Sequence, residues 1–126
     1  MTEIITVEEY RKQVKKRPTG LIYIEEMLKA AGIEFVREFV FASPRRYRAD
    51  IYVPAHKILI EYEGIGFNRN GTQSVARHTT LTGYTNDCDK YNLAVSLGYK
   101  VFRYTAKNYK NIRDLIDWVN ENRKTD

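Results

Sequence analysis

Asp50-Ile51-Tyr52-Val53-Pro54-Ala55-His56-Lys57-Ile58-Leu59-Ile60-Glu61-Tyr62-Glu63-Gly64 is the stretch whose reading decides the fold. Its apolar middle, Lys57 to Ile60, is short and β-branched, which reads as a buried strand rather than a helix. The run Tyr47 to Val53 reads as a second strand ending at Pro54. With Pro54-Ala55-His56 as the connection, the two form an antiparallel hairpin. Period-two alternation puts Leu59, Glu61 and Glu63 on one face and Ile58, Ile60 and Tyr62 on the other. Asp50, Glu61 and Glu63 therefore gather at neighbouring strand ends among Val, Ile and Tyr. Carboxylates in such a setting are costly unless a positive charge neutralises them, and an oxygen-only ligand set suits Mg²⁺ or Mn²⁺. Strands also end in acids that merely face water, so the rest of the chain has to decide.

The 126 residues form one domain, long enough for a single core and too short for two. A formal charge of +5 with ten tyrosines suits a polyanionic partner. One cysteine, Cys88, excludes an internal disulfide and a cysteine-rich zinc site, and fits a reducing cytosol. The absence of a long apolar run or a signal-like segment leads us to expect a soluble, cytoplasmic protein with no membrane partner.

Outward from the hairpin, Thr6-Val7-Glu8-Glu9 is a capping-box pattern that opens an N-terminal helix over 6–16. Thr19 is expected to cap a second helix from Leu21 to Ala31, closed by Gly32, with Leu21, Ile24, Leu28 and Ala31 as its buried stripe. Glu25 borders that stripe and could reach the strand-end acids. Ile33 to Ala42 alternates as a strand, with Phe35, Arg37 and Phe39 on one face. Arg37, Arg45, Arg46 and Arg48 cluster around the turn into the hairpin, where they suit phosphate oxygens. Gly64 to Tyr84 is a long polar loop carrying Arg69, Arg77 and His78 and no acid, as binding loops often are. A third helix is expected to open at Thr85, with Asp87 and Asp89 at its positive end and Cys88, Tyr91, Leu93, Ala94, Val95 and Leu97 as an apolar face. Tyr99 to Thr105 is a strand. Strand, helix, strand from Ile58 to Tyr104 is a crossover unit, which favours a parallel pair. Asn108 starts a last amphipathic helix over 108–122.

The predicted class is α/β (α+β), a mixed β-sheet with flanking helices in the order ααβββαβα and a core of about 19–105. This order, with an acid closing the second strand and Glu61-x-Glu63 closing the third, resembles the PD-(D/E)XK nuclease superfamily and its restriction-endonuclease-like fold. Tyr47-Arg48-Ala49-Asp50, Glu61-Tyr62-Glu63-Gly64, Ala76-Arg77-His78-Thr79, Asp87-x-Asp89-Lys90-Tyr91-Asn92 and Gly98-Tyr99-x-Val101-x-Arg103-Tyr104 appear in order. Together they look like the small phage and prophage endonuclease-like branch, related to the VRR-NUC, very-short-patch-repair and Holliday-junction-resolvase proteins.

The resemblance implies phosphodiester hydrolysis of nucleic acid, with DNA favoured over RNA but both left open, and with Mg²⁺ (or Mn²⁺) held by Asp50, Glu61, the carbonyl of Tyr62 and Glu63. Glu63 stands where the superfamily has lysine. Lys90 on the following helix is the candidate to fill that role, with His78 as the other, and Glu25 is the nearest match to the family's helix-borne glutamate. Arg45, Arg46, Arg48, Arg69 and Arg77 would hold the nucleic-acid backbone. A junction resolvase, which would require a homodimer, and an inactive nucleic-acid-binding domain of the same fold are the alternatives.

Overall fold

A computed structural model describes residues 6–9, 17–42, 47–64 and 81–123. The chain folds as an α+β unit: a four-stranded mixed sheet in the order β1-β2-β3-β4 with helices against its faces. Strands β1 (Val36–Val40), β2 (Arg48–Val53) and β3 (Ile58–Glu63) are antiparallel neighbours. Strand β4 (Lys100–Thr105) lies parallel to β3, and α2 (Leu81–Ser96) makes the crossover between them. Helix α1 (Thr19–Ala30) precedes the sheet and α3 (Ile112–Glu121) follows it. No helix among the described residues is long and apolar enough to cross a membrane.

β3 is one of the two inner strands, and five of its six residues are buried. One face carries Ile51, Val53, Ile58, Ile60 and Tyr104 against Ile24 and Leu28 of α1 and Ile112, Leu115, Ile116 and Val119 of α3. Each such aliphatic side chain taken from water contributes on the order of 2 kcal/mol, so this layer holds the sheet to its helices. The opposite face is smaller and aromatic: Phe41, Ala42, Ala49, Leu59 and Ala94, with Phe39, Tyr47, Tyr52 and Tyr99 packed around them.

Local signals hold unevenly. At the N-terminus the capping box forms, with Glu9 N–H donating to Thr6 Oγ1 at 3.1 Å and Thr6 N–H donating to Glu9 Oε2 at 3.0 Å. Residues 10–16 of that helix lie outside the described residues. Thr19 is already inside α1, whose N-cap is Pro18, and makes no capping bond. Asn108 precedes a 3-10 turn, Tyr109–Asn111, without a capping bond from its side chain; its Oδ1 accepts the Thr105 N–H at 2.6 Å, and α3 begins only at Ile112.

Alternation fails once inside the sheet. Phe35 packs into the α1 layer and Arg37 reaches Glu25 of α1, whereas Phe39 stacks on Tyr52 in the aromatic layer, ring centroids 4.1 Å apart. The reason is Glu38, which stands between them with φ 55, a left-handed conformation that redirects the following residues. Lys57 is the other such residue, at φ 53, where the turn Pro54–His56 enters β3. Its Nζ donates to the Leu97 carbonyl at 3.2 Å and its own carbonyl accepts the Lys100 N–H at 2.9 Å. The start of β3 is thereby tied to the end of α2, and the parallel pair begins there.

Candidate functional site

β2 and β3 stop pairing where the acids begin. Their register runs Val53–Ile58, Tyr52–Leu59, Ile51–Ile60, so one step further Asp50 would face Glu61. There Asp50 substitutes for a ladder partner, and its Oδ2 accepts the N–H of Tyr62 at 2.8 Å. The Tyr62 ring goes to the other face, over Gly20 of α1, where a Cβ would overlap it. On the far side, the parallel register sets Glu61 beside Arg103 and Glu63 beside Thr105.

Helix α2 crosses this corner. Its buried stripe is Gly83, Asp87 and Ala94, with Lys90 and Tyr91 half-buried between them. Lys90 Nζ donates to Glu61 Oε1 at 2.7 Å, the two side chains only 13% and 11% exposed. Beside that pair, Tyr91 Oη donates to Glu63 Oε1 at 3.0 Å and Arg103 Nε donates to the same oxygen at 2.7 Å. The Arg103 guanidinium lies 4.1 Å from the Tyr91 ring centroid.

The stripe differs from the apolar face expected for this helix. Val95 and Leu97 are exposed, and Cys88, expected in the core, is exposed as well. The helix is under way by Leu81, inside the expected loop, so Asp87 and Asp89 lie in its interior and not at its positive end. α2 covers an ionic corner, and its polar residues face inward for that reason.

Burial governs the electrostatics. Desolvation pushes the Glu61 carboxyl up from its ordinary 4.5 to about 7; Lys90 opposes this, and the neighbouring Asp50 and Glu63 charges add to it. Asp50 is also raised, first by burial, with the Tyr62 N–H opposing and Glu38 adding repulsion. Glu38 falls opposite Asp50 in the β1–β2 register and pairs with exposed Arg48 at 2.8 Å. Burial is likewise the main reason the Tyr91 hydroxyl is raised, so it stays a donor to Glu63.

A pH dependence of stability follows. Between about 4.5 and 7 the unfolded chain releases the Glu61 proton while the folded chain keeps it, so stability falls as pH rises through that window. Denaturant titration between pH 4.5 and 8 should show wild type losing about 3 kcal/mol more than Glu61→Gln. Equal losses would mean that Glu61 ionises normally.

Of the residues expected at the site, Asp50, Glu61 and Lys90 come together. Glu63 is beside them but turned toward Arg103 and Tyr91, and among the described residues no three of His, Cys, Asp and Glu converge to hold a metal ion. Glu25 is buried, 2% exposed, and is held in ion pairs by Arg17 and by Arg37, the latter at 2.6 Å. Its neutralisation by two arginines is a reason for burial that helical periodicity does not reveal. Arg45, Arg46, Arg69, Arg77 and His78 lie outside the described residues.

Arg103, Tyr91 and Glu38 were missed as site residues. Arg103 was within reach of sequence reasoning, because alternation along a strand parallel to β3 puts Val101, Arg103 and Thr105 on the Glu61 face. Asp50 and Glu61 fit a divalent cation, since Mg²⁺ uses one or two carboxylates and leaves its other positions to water and phosphate. Glu63, engaged by two donors, does not complete a three-acid cage. No family model, no curated protein and no solved structure matches this chain.

Proposed function

We propose that this protein is a divalent-cation-dependent nuclease that hydrolyses phosphodiester bonds, in DNA rather than RNA, on a restriction-endonuclease-like core. The observation that carries the reading is the meeting of Asp50 and Glu61 where the hairpin opens, with Lys90 donating to Glu61 at 2.7 Å from another element. Two desolvated carboxylates with raised pKa values beside a lysine cost stability, and functional sites are where such arrangements collect.

Asp50 and Glu61 would hold Mg²⁺ or Mn²⁺. The chemistry such a cation supplies is polarisation of a phosphodiester oxygen and acidification of a water. Asp50 is oriented for its part by the Tyr62 N–H. Lys90 opposes the desolvation that raises the Glu61 carboxyl, and its ammonium would orient the attacking water or offset charge developing on the phosphate. Helix α2 shields the corner on one side, which strengthens each of these interactions.

The test is titration calorimetry with Mn²⁺ on wild type and Asp50→Asn, free and with a DNA flap present. Saturable binding to wild type at least tenfold tighter than to the variant is the expected result. Wild type that binds no Mn²⁺ in either condition would overturn the proposal.

A further inference from the structure

Resting on that reading, we infer that Arg103 is the residue that grips the scissile phosphate: its guanidinium takes the phosphodiester oxygens beside the Asp50–Glu61 pair. Three independent features of its placement converge on this. First, the parallel register sets Arg103 directly beside Glu61 on the same face of the sheet, at neighbouring-strand spacing. A phosphate seated on a cation held by Asp50 and Glu61 would lie within an arginine's length of it.

Second, the guanidinium is held in place while leaving its fork open. Nε is bound to Glu63 Oε1, and the group lies against the Tyr91 ring, itself anchored by its hydroxyl to the same Glu63 oxygen. Of the five N–H donors of arginine, the one on Nε is spent. The Nη groups make no hydrogen bond among the described residues. That fork is the part that matches phosphate oxygens bidentately.

Third, the side chain is 45% exposed whereas its carboxylate partner is 10% exposed. An arginine present only to neutralise Glu63 has no need of an open, oriented edge at the mouth of an acid-lined corner. Fixing the group beforehand also lowers the entropy lost when it binds.

Steady-state cleavage of a fluorescein-labelled DNA flap, run as a salt series, tests this on Arg103→Gln, Arg103→Lys and the double variant Glu63→Gln/Arg103→Gln. For Arg103→Gln we expect kcat/KM to fall about 10²-fold and the salt slope to shrink by about one charge, with Mn²⁺ affinity within about twofold of wild type. Arg103→Lys keeps the charge opposite Glu63 but loses the fork, so it should still lose about tenfold in rate and serves if the glutamine variant does not fold. Arg103→Gln with wild-type rate and slope would overturn the inference. So would a double variant that regains wild-type cleavage, because Arg103 would then act only as the counterion of Glu63. Both outcomes leave the nuclease reading standing; wild type that cuts nothing overturns the two together.

Discussion

Asp50→Asn will lower cleavage by at least about 10³-fold and raise the melting temperature at neutral pH. The two effects have one cause. Asp50 is half-buried, its carboxyl is raised by desolvation, and Glu38 stands opposite it across the β1–β2 register. Its charge is therefore a burden on the folded chain at neutral pH. Asparagine keeps an oxygen that can accept the Tyr62 N–H, so the opened hairpin loses no acceptor. Alanine would leave that N–H without its partner and confuse lost function with lost stability. Asparagine removes only the charge that would hold a divalent cation. Gain of stability with loss of activity is the mark of a functional charge, and cleavage rates read beside calorimetric melting check both arms. Loss of stability without loss of cleavage would make Asp50 a structural residue.

Lys90→Met is expected to have the next largest effect, a fall in cleavage of about 10²-fold at pH 7.5. Methionine fills much of the lysine volume but leaves Glu61 buried without its cation. Lys90 holds down a carboxyl that burial pushes up to about 7, so its removal drives that carboxyl higher and leaves less of it ionised at working pH. The acid limb of the pH–rate profile should move upward, and raising the pH should recover part of the rate. A purely structural lysine would not move that limb. Stability should drop by about 3 kcal/mol above pH 7, where folding must bury Glu61 as an unpaired charge or take up a proton to neutralise it, and by less near pH 5, where the carboxyl is protonated already. Full activity in Lys90→Met would remove the lysine from the mechanism and leave His78 as the next candidate.

Much of the architecture was legible in the residues because it is set by neighbours in sequence. The hairpin around Pro54, the buried strand Ile58 to Glu63, the parallel crossover to Tyr104 and the capping box at Thr6 each follow from a short pattern and a local rule. The joining of Asp50 with Glu61 is local too, since a tight connection between antiparallel strands sets their register. Even Lys90 could be named from its place one helix after the acids.

Only the tertiary structure decided which way charged side chains turn. Glu63 alternates onto the same face as Glu61, yet Arg103 and Tyr91, distant in sequence, draw it away. Glu25 sits on a helix face that would suit either water or the site, and Arg17 and Arg37 settle it as a buried ion-pair partner. The left-handed turn at Glu38 sends Phe39 across the sheet, which no alternation rule foresees. The α2 stripe is polar because the corner beneath it is ionic, so hydrophobic periodicity misjudged which residues it buries. Hydrophobic pattern fixes elements because burial is additive and non-directional, whereas a carboxylate goes to whichever cation the fold brings nearest.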